Sequence, residues 1–301
     1  MRKLTSRRDF LSKIGLTAGI SAVIPALSIA SPEKNTSTAA LTVQQLIELI
    51  LKTIPGAPFS ETVDTIKAGD GNQEVKGIVT TMFATTDVIT KAASLGANFI
   101  IAHEPTFYNH RDDTDWLAGD PVFQAKKSLL DKHKIAVWRF HDYWHTHRPD
   151  GVRYGVVRKL GWEKYLNQDN PRMLAIPSMK LSDIITHVKK SLAVRQVRYI
   201  GDPNQACTSV GLLPGASGGR SHIQLLGKEK PHVLIVGELS EWETAEYVRD
   251  ARSLNMPLSL IVLGHAESED PGMEWLVEWL QPKVPGIKVT HVPSPYPFKE
   301  A

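Results

Sequence analysis

Four short runs of this sequence are almost wholly apolar: Asn98–Ala102 (NFIIA), Ala136–Phe140 (AVWRF), Val233–Val236 (VLIV) and Leu258–Leu263 (LSLIVL). Strands this short without a polar face are buried on both sides, the situation of a parallel sheet covered by helices. The intervening segments supply those helices. Between Leu41 and Ile54, apolar residues fall at 43, 46, 47, 50, 51 and 54, a helical stripe behind the cap Thr42. Thr86–Leu95 reads as a helix closed by Gly96, and others are expected near Pro121–His133, Val152–Leu160, Ser182–Leu192, Glu241–Ser253 and Pro271–Leu280. Strands at Val75–Phe83, Val194–Ile200, Ser209–Leu213 and Ile287–Val292 complete the alternation. The pattern predicts an α/β fold, a largely parallel sheet or sheets with packed helices, in one domain over residues 41–301. Residues 165–230 are richer in Pro, Gly and Asn and are expected to be an inserted or peripheral segment.

The first thirty residues have a different character. Ser6-Arg7-Arg8-Asp9-Phe10-Leu11 precedes an uncharged stretch that ends in Ser28-Ile29-Ala30. A charged start, an apolar middle and a small-x-small end make an export signal, and the paired arginines resemble the twin-arginine type. Cleavage is expected near Ala30, with delivery to the periplasm or beyond. The stretch is short, rich in Gly, Ala and Ser and broken by Pro25, so a stable membrane anchor is not expected. Residues 31–40 (SPEKNTSTAA) read as a flexible leader. The formal net charge is +3, and Arg2, Lys3, Arg7, Arg8 and Lys13 against Asp9 more than account for it. The remaining body is close to neutral, so nucleic acid is not an expected partner. An apolar share of 42% excludes a disordered chain, and the single Cys207 excludes a disulfide framework.

Ligands of open α/β sheets gather outside the carboxyl ends of the strands. NFIIA runs directly into His103-Glu104-Pro105, and AVWRF into His141-Asp142-Tyr143-Trp144-His145-Thr146-His147. VLIV is followed by Gly237-Glu238, and LSLIVL by Gly264-His265-Ala266-Glu267-Ser268-Glu269. Imidazole and carboxylate without thiolate suit Zn, Mn, Fe or Ni. Adjacent ligands such as His103 and Glu104 diverge on an extended chain, which suits two neighbouring ions, while His265 and Glu269 share a face if a helical turn starts there. Two ions about 3.5–4 Å apart can hold a bridging water and lower its pKa. Each group alone is equally consistent with turn residues, a solvated loop or a helix cap; their recurrence at four strand ends favours a shared site.

At these residues the chain resembles the NIF-three-like dinuclear metal-centre family, some members of which carry a GTP cyclohydrolase I type-two label. Ile100–Phe107 looks like the family's strand ending in His-His-Pro, with Glu104 where histidine is usual. His141 to His145, followed by Pro149-Asp150-Gly151-Val152, is similar to its mid-chain His-x-x-x-Asp, with His145 at the carboxylate position. Gly264–Glu269 is similar to its late Gly-His-x-x-x-Glu, and Val236–Ser240 to a Gly-Glu segment. Glu104 and His145 look like an exchange of ligand types; alternatively Asp142 supplies the carboxylate in a shifted register. By position, the resemblance implies that His103, Glu104, His145, His265 and Glu269 hold two divalent ions (Zn, Fe, Mn or Ni). It also implies a ring-like homo-oligomer, often a hexamer in that family.

The expectation is therefore an exported dinuclear-metal hydrolase using a metal-bridged hydroxide on a small-molecule phosphoester, nucleotide-like or amide substrate. Glu267 or Glu238 is the candidate for proton transfer. The alternative is a non-catalytic metal-binding, ring-forming scaffold. Leu213–Arg220 (LPGASGGR) reads as a turn or a backbone nest for an anion, and Trp242, Trp275 and Trp279 read as packing.

Overall fold

The structure is a computed structural model describing residues 40–294 and 297–298. The signal segment and, Ala40 apart, the leader lie outside the described residues. In chain order, the first half contains α1 (Val43–Leu51), β1 (Ile66–Ala68), β2 (Gly77–Thr81), α2 (Thr86–Ser94) and β3 (Phe99–Ala102). It continues with α3 (Pro121–His133), β4 (Ala136–Arg139), α4 (Asp142–Thr146) and α5 (Gly151–Lys159). The second half contains β5 (Met173–Lys180), α6 (Leu181–Leu192), β6 (Arg198–Ile200), β7 (Ala206–Leu213) and α7 (Gly219–Glu229). After these come β8 (Val233–Val236), α8 (Glu246–Ser253), β9 (Ser259–Val262), α9 (His265–Leu280) and β10 (Lys288–His291).

Two five-stranded sheets result, ordered β1-β4-β3-β2-β10 and β5-β7-β8-β9-β6. Each has a parallel centre and antiparallel edges: β1 in the first sheet, β5 and β6 in the second. The central strands β2, β3, β4, β8 and β9 are buried at every position, as their lack of a polar face requires. Local signals set the helix starts. Thr42 and Gln45 form a reciprocal capping box on α1, while Asp120 caps α3 with Pro121 in its first turn.

The two halves meet through α9, which leaves the second sheet after β9 and packs on α5 before the chain returns as β10 to the first. A Cβ on Gly155 would stand 2.5 Å from the Gly272 Cα, and one on Gly272 would stand 2.6 Å from the Val152 Cα. Backbone therefore lies on backbone where α5 crosses α9. That contact brings the carboxyl ends of β3, β4, β8 and β9 together.

The structure departs from the sequence reading in identifiable places. β1, α4 and β5 are short or half-exposed and carry no clean periodicity. Residues 165–230 supply β5, β6 and β7 of the second sheet. The LPGASGGR turn leads directly into a helix, α7, which glycine-rich composition conceals. α9 begins at His265, six residues before the proline taken as its start. Pro271 sits inside it, removing one backbone donor.

Candidate metal centre

Each donor is positioned by the end of a buried strand. His103 and Glu104 follow β3, and their own amides continue the ladder by donating to the Thr81 and Met82 carbonyls. The His103 ring is fully buried, with Nδ1 3.1 Å from the Phe140 carbonyl. That contact assigns the proton to Nδ1 and leaves Nε2 a lone-pair donor. Nε2 is buried without a hydrogen-bond partner, and Glu269 Oε2 stands 3.5 Å away.

His141 is the N-cap of α4, and the helix itself carries His145. It starts because Asp64, from the first half, accepts bonds from the amides of His141 (2.8 Å), Asp142 (3.1 Å) and Tyr143 (2.8 Å). Asp64 thus caps a helix 78 residues away in sequence. Burial, together with the Asp142 charge, outweighs these bonds and pushes its carboxyl up to about 6. Asp142 faces outward from the donor group: Oδ1 holds His141 Nδ1 at 2.9 Å, and Oδ2 accepts from Thr62 Oγ1 and the Val63 amide. His145 is oriented in the same manner by Asp150, at 3.4 Å. These are carboxylate–histidine pairs of the kind that stand behind metal ligands.

The second half contributes α9. His265 and Glu269 lie one turn apart, with Nε2 3.1 Å from Oε2, and His265 Nε2 is also 3.3 Å from Glu104 Oε1. A Cβ on Gly215 would lie 2.0 Å from Glu269 Oε1, so only glycine lets the loop after β7 pass this carboxylate. Behind the centre, the buried Arg139 guanidinium bonds Glu104 Oε2 at 3.3 Å, the His103 carbonyl at 3.2 Å and the His110 carbonyl.

Two groups converge closely enough for one ion each: His103, His141 and His145, and His103, Glu104 and Glu269. Their donor atoms lie within 4.8 Å of one another, and His103 belongs to both. Sequence reasoning used His141 only as a spacing marker and did not place it among the ligands. Its position directly after β4 was the available signal. Of the two proton-transfer candidates, Glu238 is 56% exposed with Oε2 3.4 Å from His265 Nδ1. Glu267 instead turns back on its own helix start, with Oε2 buried and unpartnered. Neither belongs to a donor group among the described residues.

The electrostatics match this geometry. Burial, reinforced by the neighbouring histidines, holds His103 well below its ordinary value, so it stays neutral and able to coordinate. Burial also lowers His141, with repulsion from His145 adding to it. For Glu104, burial works upward, but the His265 hydrogen bond and the charges of His141, His265 and Arg139 hold it below the usual carboxylate range. Burial works against charge on His265 as well, yet Glu104 and Glu269 raise it to about 10. Two carboxylates thus hold a proton on His265, beside the orphaned His103 nitrogen, where the donor chemistry suits a divalent cation.

A sequence model of the family described as Duf34/NIF3 (NGG1p interacting factor 3) matches residues 41–297. The chain belongs to the DUF34/NIF3 family. A Clostridium perfringens protein named "GTP cyclohydrolase 1 type 2 homolog" is 25% identical over 236 residues, covering 74% of this chain and 85% of that protein. The fold is shared with a Staphylococcus aureus hypothetical protein at TM-score 0.69 and 18% identity, covering 87% of this chain and all of that one (100%). A Bacillus cereus protein related to NIF3 superposes with TM-score 0.69 at 16% identity, with coverage of 87% and 100%. The family and its mixed α/β fold of mostly parallel strands are those the motifs implied. No helix among the described residues is long and apolar enough to cross a membrane.

Proposed function

We propose that the protein is an exported metal-dependent hydrolase with two divalent ions per chain. The observation that carries this reading is the His103 Nε2, buried and unpartnered where two donor groups meet. His103, His141 and His145 would hold one ion, and Glu104, Glu269 and His265 the second, with His103 at the boundary. Bound there, divalent ions supply Lewis acidity and a water nucleophile at neutral pH.

The remaining work falls to the chain. Asp142 and Asp150 fix the tautomers of His141 and His145, and Arg139 holds Glu104 in place. To Glu238, exposed and 3.4 Å from His265 Nδ1, we assign the role of taking a proton from incoming water and returning it to the leaving group. The substrate classes are a phosphoester, a nucleotide-like ring or an amide. The curated relatives' name, "GTP cyclohydrolase 1 type 2 homolog", supports a ring or phosphoester. Assembly as a homo-oligomeric ring belongs to the same proposal.

Metal analysis followed by screening of the loaded protein against phosphodiester, nucleotide and amide panels tests this reading. Turnover abolished by Glu238→Gln with metal retained supports it. Inactivity with every metal and panel transfers the assignment to a metal-binding scaffold. Export is tested separately: changing Arg7 and Arg8 to lysine should trap precursor inside the cell, and normal export rejects the twin-arginine route.

A further inference from the structure

α4 separates two environments. His141 and His145 belong to the donor cluster, whereas His147, which ends the helix, lines a groove of about 730 Å³. Trp275 and Trp279, four apart on α9, and Tyr154 on α5 form much of its wall. The tryptophan spacing reads as packing, and Trp144 behind them is fully buried, but Trp275 and Trp279 are only half-buried. Their rings are held by neighbours. Trp275 stacks on Trp144 at 5.0 Å and meets Tyr154 edge-on at 4.9 Å. The His147 ring stands edge-on to Trp275 at 5.9 Å and to Trp279 at 5.3 Å, with Nδ1 fixed 2.8 Å from the Pro149 carbonyl.

The surroundings are cationic. Arg148 lines the groove, and the Lys283 ammonium lies 3.9 Å from the centroid of the Trp279 ring. Arg148 and Arg172 both act as like charges on Arg153. Of the nearby carboxylates, Asp150 is shared between Arg153 (3.2 Å) and His145 (3.4 Å), while Glu163, itself part of the lining, lies 3.8 Å from Arg158. A volume in the ordinary range for small-molecule sites, aromatic walls, and the cations Arg148 in the lining and Lys283 on the Trp279 ring call for one kind of occupant. It must offer a flat ring and a negative group together.

We propose that this groove is a second ligand site, separate from the metal centre, for a planar aromatic ring bearing an anionic group, the chemical class of a nucleoside monophosphate. The ring packs against the tryptophan wall, and Arg148 at the rim meets the anion, as in sites that combine stacking with a basic surface. The proposal stands whether or not the metal centre hydrolyses anything.

Calorimetric and tryptophan-emission titration of the chelator-treated full chain tests it, using AMP, adenosine and inorganic phosphate. AMP should bind and quench emission, with adenosine and phosphate each at least tenfold weaker. Arg148→Glu, at an exposed position, should weaken AMP at least tenfold, as should Trp279→Leu, while His265→Ala leaves AMP binding unchanged. AMP failing to bind, binding no tighter than its fragments, or binding Arg148→Glu as well as wild type overturns the proposal. So does a change in solution mass without a change in AMP affinity, which would make the groove a subunit contact.

Discussion

The two halves of the candidate metal centre are built differently. The first half presents His103 and Glu104 from a strand end closed on all sides, braced by the Arg139 guanidinium and by the Asp64 cap on α4. The second half presents His265 and Glu269 from the first turns of a helix, with His265 23% exposed and Glu238 more exposed still. In both halves some donors are dry (His103, Glu104 and Glu269) and others partly open (His141 21%, His145 31% and His265 23% exposed); what distinguishes the second half is the proton that Glu104 and Glu269 favour on His265. In a site meant only for structure, both sides would be closed. The partly exposed His141, His145 and His265, with Glu238 more exposed still, mark the side of the cluster that is open to water.

The comparison breaks most visibly on removal of the shared donor. His103→Ala should lower the affinity for the ion held with His141 and His145 by more than about 100-fold, beyond the range typical of residues behind the ligands. His265→Ala should instead remove metal from the Glu104–Glu269 side while far-ultraviolet dichroism stays unchanged. Wild-type metal content in either variant, measured by mass spectrometry, would erase the distinction between the halves. Asp64→Asn comes next. It weakens the cap that orients His141 and His145, and an affinity loss of about 10–100-fold is expected with the ligands themselves intact.

Smaller effects test the joint between the halves. Gly155→Ala forces a methyl group against the Gly272 backbone and should destabilise the fold by about 1–3 kcal/mol, read by denaturant unfolding. The smallest effect is electrostatic. In chelated protein, His265 is raised from 6.5 to about 10, so its stabilisation is complete below pH 6.5 and lost as pH rises through 10. The stability difference between wild type and His265→Asn should therefore shrink across that window. A difference that stays constant would mean that Glu104 and Glu269 do not hold that proton.

The sequence made the strand ends legible because wholly apolar runs announce buried parallel strands, and the polar residues after them are then few. His103, Glu104, His265 and Glu269 were visible in this way. The resemblance also led to His145, while Asp142 in the same loop proves to face Thr62 and Val63. Asp64 was not legible: it acts on backbone amides 77–79 residues away, and no local spacing reports such a bond. Arg139 was hidden inside an apolar strand, where its charge looked incidental. The true start of α9 was masked by Pro271, which usually marks a first turn. The glycine contact between α5 and α9 left no periodic signal, although it aligns the two sheets.

Metal stoichiometry of freshly purified protein, determined beside His103→Ala prepared identically, bears most directly on the account. Two divalent ions per chain in the wild type and at most one in the variant are the predicted pair of values. A wild-type protein that keeps no ion after loading with Zn, Mn, Fe or Ni, or a variant that retains the wild-type number, would contradict it.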